Sequence, residues 1–308
     1  MRFYVSWYPG DPWYPRHDDD CAMLISVASV SQGWRLCDFS PPPRYLMLDS
    51  GGYRYAIAPD ERLSPKEVFE RQLRMIEDVE VETILCALDY PILDSDVTSN
   101  EKDRCIHQTL AYAYEFKRLL SQHSLPDQIR GMAVVQGYDG PSLSRCATEL
   151  RGLGFPCYGL GSVAPLRHHE EIMKRVEVVM GVVGSNLHVF GVSAIRTLRV
   201  LRRRGVLSID SSRPAKAAMY NQVFYSRPFR RFAIAKSDDK VGRAMPSHRQ
   251  LSKPLPCDCP SCGGKANPDI LSLGQREYIR KRALHNYWHL KRVLLGTDMM
   301  SQVIRPMT

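Results

Sequence analysis

No apolar run in the 308 residues approaches the roughly 20 that a bilayer-spanning helix needs. The N-terminus, MRFYVSWYPGDPWYP, lacks the basic-then-apolar order of a secretory signal. Both absences point to a soluble, cytoplasmic protein. No low-complexity tract or internal repeat interrupts the chain, and a content of 44% hydrophobic and 24% charged residues suits one large globular core or two modest ones. No GxGxxG opens any helical segment, which removes the phosphate-gripping turn of a dinucleotide-binding sheet. Acids are scarce between Arg196 and Lys253, and over the whole chain Lys and Arg outnumber Asp and Glu by 42 to 33. A basic excess gathered in one stretch is half of a nucleic-acid signal.

Nine cysteines are an odd number, and six stand singly at 21, 37, 86, 105, 146 and 157, mostly in apolar or helical stretches where a small buried thiol is ordinary. The other three are crowded into CDCPSC. Cys257, Cys259 and Cys262 have the C-x-C-x-x-C spacing that sets three thiolates around one tetrahedral centre, with Pro256, Pro260, Gly263 and Gly264 to make the turns. A fourth ligand must come from elsewhere. His285 and His289, one helical turn apart in RKRALHNYWHLKR, both qualify. A set of thiolates and imidazole with no open position predicts a structural zinc ion rather than a catalytic one.

Short apolar runs recur, each followed by helical periodicity: RYLMLDS then Ser64 to Val81, TILCALDY then Glu101 to Gln122, GMAVVQG then Pro141 to Leu153. The alternation continues with CYGLGSV then Arg167 to Met180, LHVFGVS then Ala194 to Arg204, and VLSID. With FYVSWY and AMLISVA near the N-terminus, these runs predict an α/β fold, a TIM (β/α)8 barrel with an inserted zinc-binding subdomain towards the C-terminus. Residues 1–210 would form the main part of the barrel and 211–290 a basic segment and the zinc-binding subdomain, with a helix from Leu273 to Leu295; residues 291–308 would be a tail completing the fold. Acids or an amide end the strand runs at Asp49, Asp89, Gln136 and Asp210. In a barrel those ends share one face, where active sites are built.

Taken in order, LDSGG, ALDYP, VVQG, YGLGSV, FGVS, RRRGVLSIDSSRP, CDCPSC and LHN resemble the tRNA-guanine transglycosylase superfamily over roughly residues 45–290. Members of that family swap guanine in nucleic acid for a 7-deazaguanine on a zinc-bearing TIM barrel. The resemblance implies a pentosyltransferase in which Asp210, spaced D-x-x-x-P from Pro214, attacks C1′ of the nucleotide. Asp49 would be the proton-shuttling acid/base, Asp89 and Gln136 would read the purine edge, Gly161 and Ser162 would offer backbone groups, and Tyr53 would stack on the base. The resemblance also favours His285 over His289 as the zinc ligand and implies a homodimer through the zinc region. A carboxylate at C1′ stabilises the charge that develops as guanine leaves and then forms a covalent glycosyl intermediate; a second carboxyl protonates the departing base. No redox or nucleotide cofactor is called for.

Departures from the family narrow the expectation. The tRNA enzymes usually read SGGFQ where this chain has Tyr53 and Arg54, and Gly161-Ser162 stands where they carry paired glycines, which turns the expectation away from queuine-type bases. With a compact chain and no C-terminal RNA-binding domain, these features resemble the phage and bacterial branch that puts 7-deazaguanines, such as 7-cyano-7-deazaguanine, into DNA. DNA is therefore the expected substrate, in the host cytoplasm if the chain is phage-encoded. tRNA is the alternative, and a non-catalytic nucleic-acid-binding or partner subunit of the same fold is the alternative of another class. A duplex would have to present its base flipped or single-stranded. Candidate contacts are Arg202, Arg203, Arg204, Arg213, Lys216, Arg227, Arg230 and Arg231, interleaved with Tyr220, Phe224, Tyr225 and Phe229.

Overall fold

Every apolar run expected to be a strand of the barrel is one. In the computed structural model they are β1 (Arg2–Trp7), β2 (Ala22–Ser26), β3 (Tyr45–Asp49), β4 (Glu82–Cys86), β5 (Ile129–Val135), β6 (Cys157–Leu160), β7 (Leu187–Val189) and β8 (Ser208–Ser211). The structure describes residues 1–93, 97–163, 166, 168–192, 194–234 and 251–296. The eight strands pair in sequence order into a closed parallel barrel, and β1 closes it by pairing with β8, Tyr4 opposite Asp210. Side chains of alternate residues fill the interior: Tyr4, Ala22, Leu24, Met47, Ile84, Cys86, Met132 and Cys157 form one buried layer. Among the described residues no helix is long and apolar enough to cross a membrane.

Helices follow the strands as the crossovers require: α1 (Gly52–Ile57) and α2 (Pro65–Met75) after β3, α3 (Ser99–Gln122) after β4, α4 (Gly140–Gly152) after β5, α5 (His169–Val183) after β6 and α6 (Ile195–Arg204) after β7. Their starts are written locally. Ser64 with Glu67, Thr98 with Glu101 and Asp139 with Ser142 form capping boxes at α2, α3 and α4. Helix α2 ends at Met75 and not at Val81, because Asp78 takes a left-handed backbone (φ 63°) that no right-handed helix can continue. Gln72, wholly buried on α2, donates from Nε2 to Leu48 O and Cys86 O, both at 2.9 Å, and so clips together the ends of β3 and β4.

The chain divides into two units: Met1–Tyr8 with Ala22–Ser211, the barrel, and Pro9–Cys21 with Ser212–Thr308. The second contains α7 (Arg213–Met219), an antiparallel hairpin of β9 (Gln222–Ser226) and β10 (Phe229–Ala233), and α8 (Arg276–Leu295). Its core gathers Val223, Tyr225, Phe232, Ile234 and Trp288 around Cys259, Cys262 and Ile270. Ala215 and Ala218 of α7 pack on Ala283 of α8. The Pro9–Cys21 segment, which the sequence places with the barrel, is tied into this unit by polar contacts: Lys291 Nζ donates to Asp18 Oδ2 at 2.6 Å and to Asp20 O at 2.9 Å, and the Tyr287 hydroxyl also donates to Asp18. Lys291 is part of α8. Residues 235–250 of the basic segment and 297–308 of the tail lie outside the described residues.

Candidate active site and metal centre

Inward-facing positions recur every second residue along a strand. Continued upward from the buried layer, that parity leads from Tyr4 to Ser6, from Met47 to Asp49, from Met132 to Gln136 and from Ser208 to Asp210, so four polar side chains top the barrel at the C-terminal ends of their strands. Asp210 is nearly buried, and its carboxylate is cradled. Oδ2 accepts from the Ser6 hydroxyl at 2.9 Å, and Oδ1 accepts from the Gly191 N–H at 2.7 Å.

Asp49 Oδ2 accepts from the Gly51 N–H at 3.1 Å. Burial pushes its carboxyl above the ordinary range, against hydrogen bonds from Ser26 and Gly51, and the charge of Asp210 adds to the rise. Asp89 is pushed up to about 7, first by burial and then by the charge of Asp49, while Gln136 and the guanidinium of Arg62 oppose the shift. Three carboxyl groups thus sit within electrostatic reach, and two of them, Asp49 and Asp89, are raised above the ordinary carboxylate range.

Gln136 is wholly buried and already engaged. Its Nε2 donates to Asp89 Oδ2 at 2.5 Å and its Oε1 accepts from the Ser162 hydroxyl, which in turn accepts from the Ile92 N–H at 2.9 Å. Ser162 contributes this side chain from a left-handed backbone (φ 53°) of the kind glycine adopts freely, whereas its resemblance to paired glycines implied a backbone role. Gly161 lets Gln136 approach: a Cβ there would lie 2.2 Å from Nε2.

The two glycines of LDSGG serve different ends. Gly51 has φ +86°, a conformation that side chains resist, and Gly52 leaves the space that Asp89 fills, a Cβ there falling 2.1 Å from Oδ1. Tyr53 stands exposed on α1, and Arg54 forms an exposed two-point pair with Glu61 (Nε 3.1 Å, Nη2 3.0 Å). Ser6, Gly191 and His188 are parts of the site that the sequence did not announce. A hydroxyl, a glycine and a histidine within apolar runs carry no signal until the parity of the strands is known.

The metal set comes together in the second unit. Sγ atoms of Cys257, Cys259 and Cys262 and Nδ1 of His285 all lie within 4.8 Å of one another. The Cys257 and Cys259 sulfurs are 3.3 Å apart, and Nδ1 is 3.5, 3.3 and 3.6 Å from the sulfurs of Cys257, Cys259 and Cys262. A zinc tetrahedron with bonds of about 2.3 Å to sulfur and 2.0–2.1 Å to nitrogen has edges of roughly 3.5–3.8 Å, so these four donors fit the ion. His285 Nε2 donates to Phe224 O at 2.7 Å, which leaves the Nδ1 lone pair facing the sulfurs. His289 is not in the set: its Nδ1 accepts from the Ser226 N–H at 3.1 Å.

Of the proposed stacking residues, Phe224 and Tyr225 are buried in the core of the second unit, which removes them as nucleic-acid contacts; Tyr220 is exposed. Arg202, Arg203 and Arg204 are exposed at the end of α6, with Arg204 paired to Glu177 at 2.7 Å. Lys216, Arg227 and Arg230 are exposed, and Arg213 and Arg231 are partly buried.

A family model described as queuine tRNA-ribosyltransferase matches residues 35–297. The chain is 26% identical over 260 residues, 82% of its length, to a protein of Methanopyrus kandleri named tRNA-guanine(15) transglycosylase, of which it covers 50%. It is 26% identical over 254 residues (80% of its length) to the protein of that name from Methanocaldococcus jannaschii, covering 35% of it. With the one from Methanobrevibacter smithii the identity is 30% over 147 residues, 47% of this chain and 21% of that one. The chain therefore spans half the length, or less, of these curated relatives.

Proposed function

The chain belongs to the queuine tRNA-ribosyltransferase family, and from that premise we propose that it is a transglycosylase exchanging guanine in a nucleic acid for a 7-deazaguanine. What supports this most is the convergence on one barrel end of a carboxylate cradled by donors, a second carboxyl raised by burial and the Asp89–Gln136–Ser162 chain. In the first half-reaction an oxygen of Asp210 bonds C1′ as the C1′–N9 pair departs with guanine, which takes a proton from Asp49. In the second, the incoming base returns its proton to Asp49 and attacks C1′, and the electron pair of the ester C–O bond returns to Asp210. Asp89 and Gln136 read the edge of the purine, Gly161 and Ser162 hold Gln136 in place, and Tyr53 covers the base from the rim.

Cys257, Cys259, Cys262 and His285 hold a structural zinc ion. Four protein ligands fill its coordination shell and leave no position for substrate. The relatives' names favour tRNA as the nucleic acid and lend no support to the DNA or the homodimer expected from the sequence. We therefore favour tRNA, with DNA as the rival and 7-cyano-7-deazaguanine as the incoming base to try first.

The test is to incubate the chain with labelled 7-cyano-7-deazaguanine and either tRNA or guanine-containing DNA, then digest to nucleosides. Label in tRNA alone supports the favoured assignment, and label in DNA alone overturns it. Denaturing gels of the wild type should show a covalent nucleic-acid adduct that Asp210→Ala abolishes; an adduct persisting in that variant removes Asp210 as nucleophile.

A further inference from the structure

One side chain at the barrel end has no part in the exchange as described. His188, on β7, is completely buried, with the rings of Tyr4 and Phe190 set edge-on at 6.0 and 4.4 Å. Its Nδ1 is 2.9 Å from the Ser208 hydroxyl, and its Nε2 is 3.4 Å from Asp210 Oδ1, two residues further along the same strand β8. At that length the second contact is a proximity and not a formed hydrogen bond, and among the described residues Nε2 has no hydrogen-bond partner. The imidazole therefore meets one group that can donate or accept and one, the carboxylate, that only accepts. In the neutral ring one tautomer satisfies both: Ser208 donates to Nδ1, and the ring proton sits on Nε2, aimed at Asp210. The other tautomer would set a nitrogen lone pair against a carboxylate in a dry interior.

We propose that His188 is a positioning residue for the nucleophile: anchored by Ser208, it directs its Nε2–H at Asp210 Oδ1 and fixes the carboxylate for attack on C1′ and for release from the ester. The proposal rests on the aspartyl exchange described above. Ser6 and Gly191 already donate to the carboxylate, and a small approach of Nε2 from its 3.4 Å distance would make His188 a third donor. When the ester bond to C1′ breaks in the second half-reaction, its electron pair returns to an oxygen system facing these three groups, which favours its departure. His188 differs from the other two in being tied to β8, the strand that carries Asp210, so it sets the side chain's orientation relative to its own backbone. Completely buried, it offers nothing to a base or a phosphate. Its effect belongs to the chemical step and not to binding.

Two variants and one spectrum test this. His188→Phe keeps a ring and removes the donor; His188→Gln returns an amide N–H close to the position of Nε2. We expect His188→Phe to lower kcat for base exchange roughly ten- to hundredfold, the effect of losing one hydrogen bond to a charged group, with KM for base and nucleic acid changing less than about threefold. His188→Gln should recover most of that loss. Nitrogen-15 spectra of the wild type should show the His188 proton on Nε2, with a signal that moves in Asp210→Asn. The proposal is overturned if His188→Phe turns over like the wild type, if both variants lose activity equally along with thermal stability, or if the ring carries its proton on Nδ1 alone. If the wild type exchanges no base into any nucleic acid, the aspartyl-exchange assignment fails, while the spectrum still decides whether the hydrogen bond exists.

Discussion

Asp89 is an acid held where charge is unwelcome, and its folded pKa of about 7 against an ordinary 3.8 has a direct consequence for stability. Between those values the folded chain keeps a proton that the unfolded chain has released, so unfolding becomes easier as pH rises. The stabilisation is whole below about pH 4 and is lost as pH climbs through 7; about three units at roughly 1.4 kcal/mol each make it on the order of 4 kcal/mol. Asp89→Asn does not titrate. Its stability relative to the wild type should therefore improve from pH 5 to pH 8, read from denaturant midpoints at the two pH values; a constant difference would show that ionised Asp89 carries no penalty. Asp49, Asp89, Gln136 and Asp210 were visible in the sequence because each interrupts an apolar run at its end. His188 was not, since one histidine inside LHVF reads as core until the strand's parity aligns it with Asp210.

Among the elements, α8 buries polar side chains along much of its length, and Asn286 is the one matched most fully. Asn286 accepts the Phe224 N–H at 2.9 Å through Oδ1 and donates through Nδ2 to Gln222 O at 3.0 Å and Pro214 O at 3.3 Å, stapling the helix to β9 and α7. Asn286→Ala strands three backbone groups and should cost roughly 3 kcal/mol or more, measured by chemical denaturation; a loss below about 1 kcal/mol would mean water replaces the amide. The same burial explains what could not be read in advance. Val223, Phe224 and Tyr225 are consecutive and all buried, so β9 has no wet face and no alternation, and the seven residues of α7 are too few to display a period. The barrel strands and the helices from α2 to α6 were legible because apolar runs, helical periodicity and spacing agreed. Between His285 and His289 spacing could not choose; the Ser226 N–H, which occupies Nδ1 of His289, does.

For the whole molecule, the metal set draws on several elements of the second unit: the cysteine loop and α8 supply its donors, and the Phe224 carbonyl reaches it from β9 through the Nε2 of His285. Purified chain should carry about one zinc per molecule, and a chelator that strips it should lower the first transition in a calorimetric scan, since metal affinity in such a site is folding free energy. A scan unchanged after stripping would reject a structural ion. The order of motifs carried the family, but not the choice of nucleic acid: surface arginines report charge without identity, and two of the aromatics among them proved to be core.

The barrel's interior layer has a further use. Cys86 and Cys157 are closed off within it, burial pushing both thiols up, Cys157 to about 11, whereas Cys37 is exposed. A thiol reagent should modify Cys37 at once and the interior pair only when the strands part. The wild-type chain thus contains its own clock for barrel opening, with the slow phase of labelling as its tick and no introduced probe to disturb what it times.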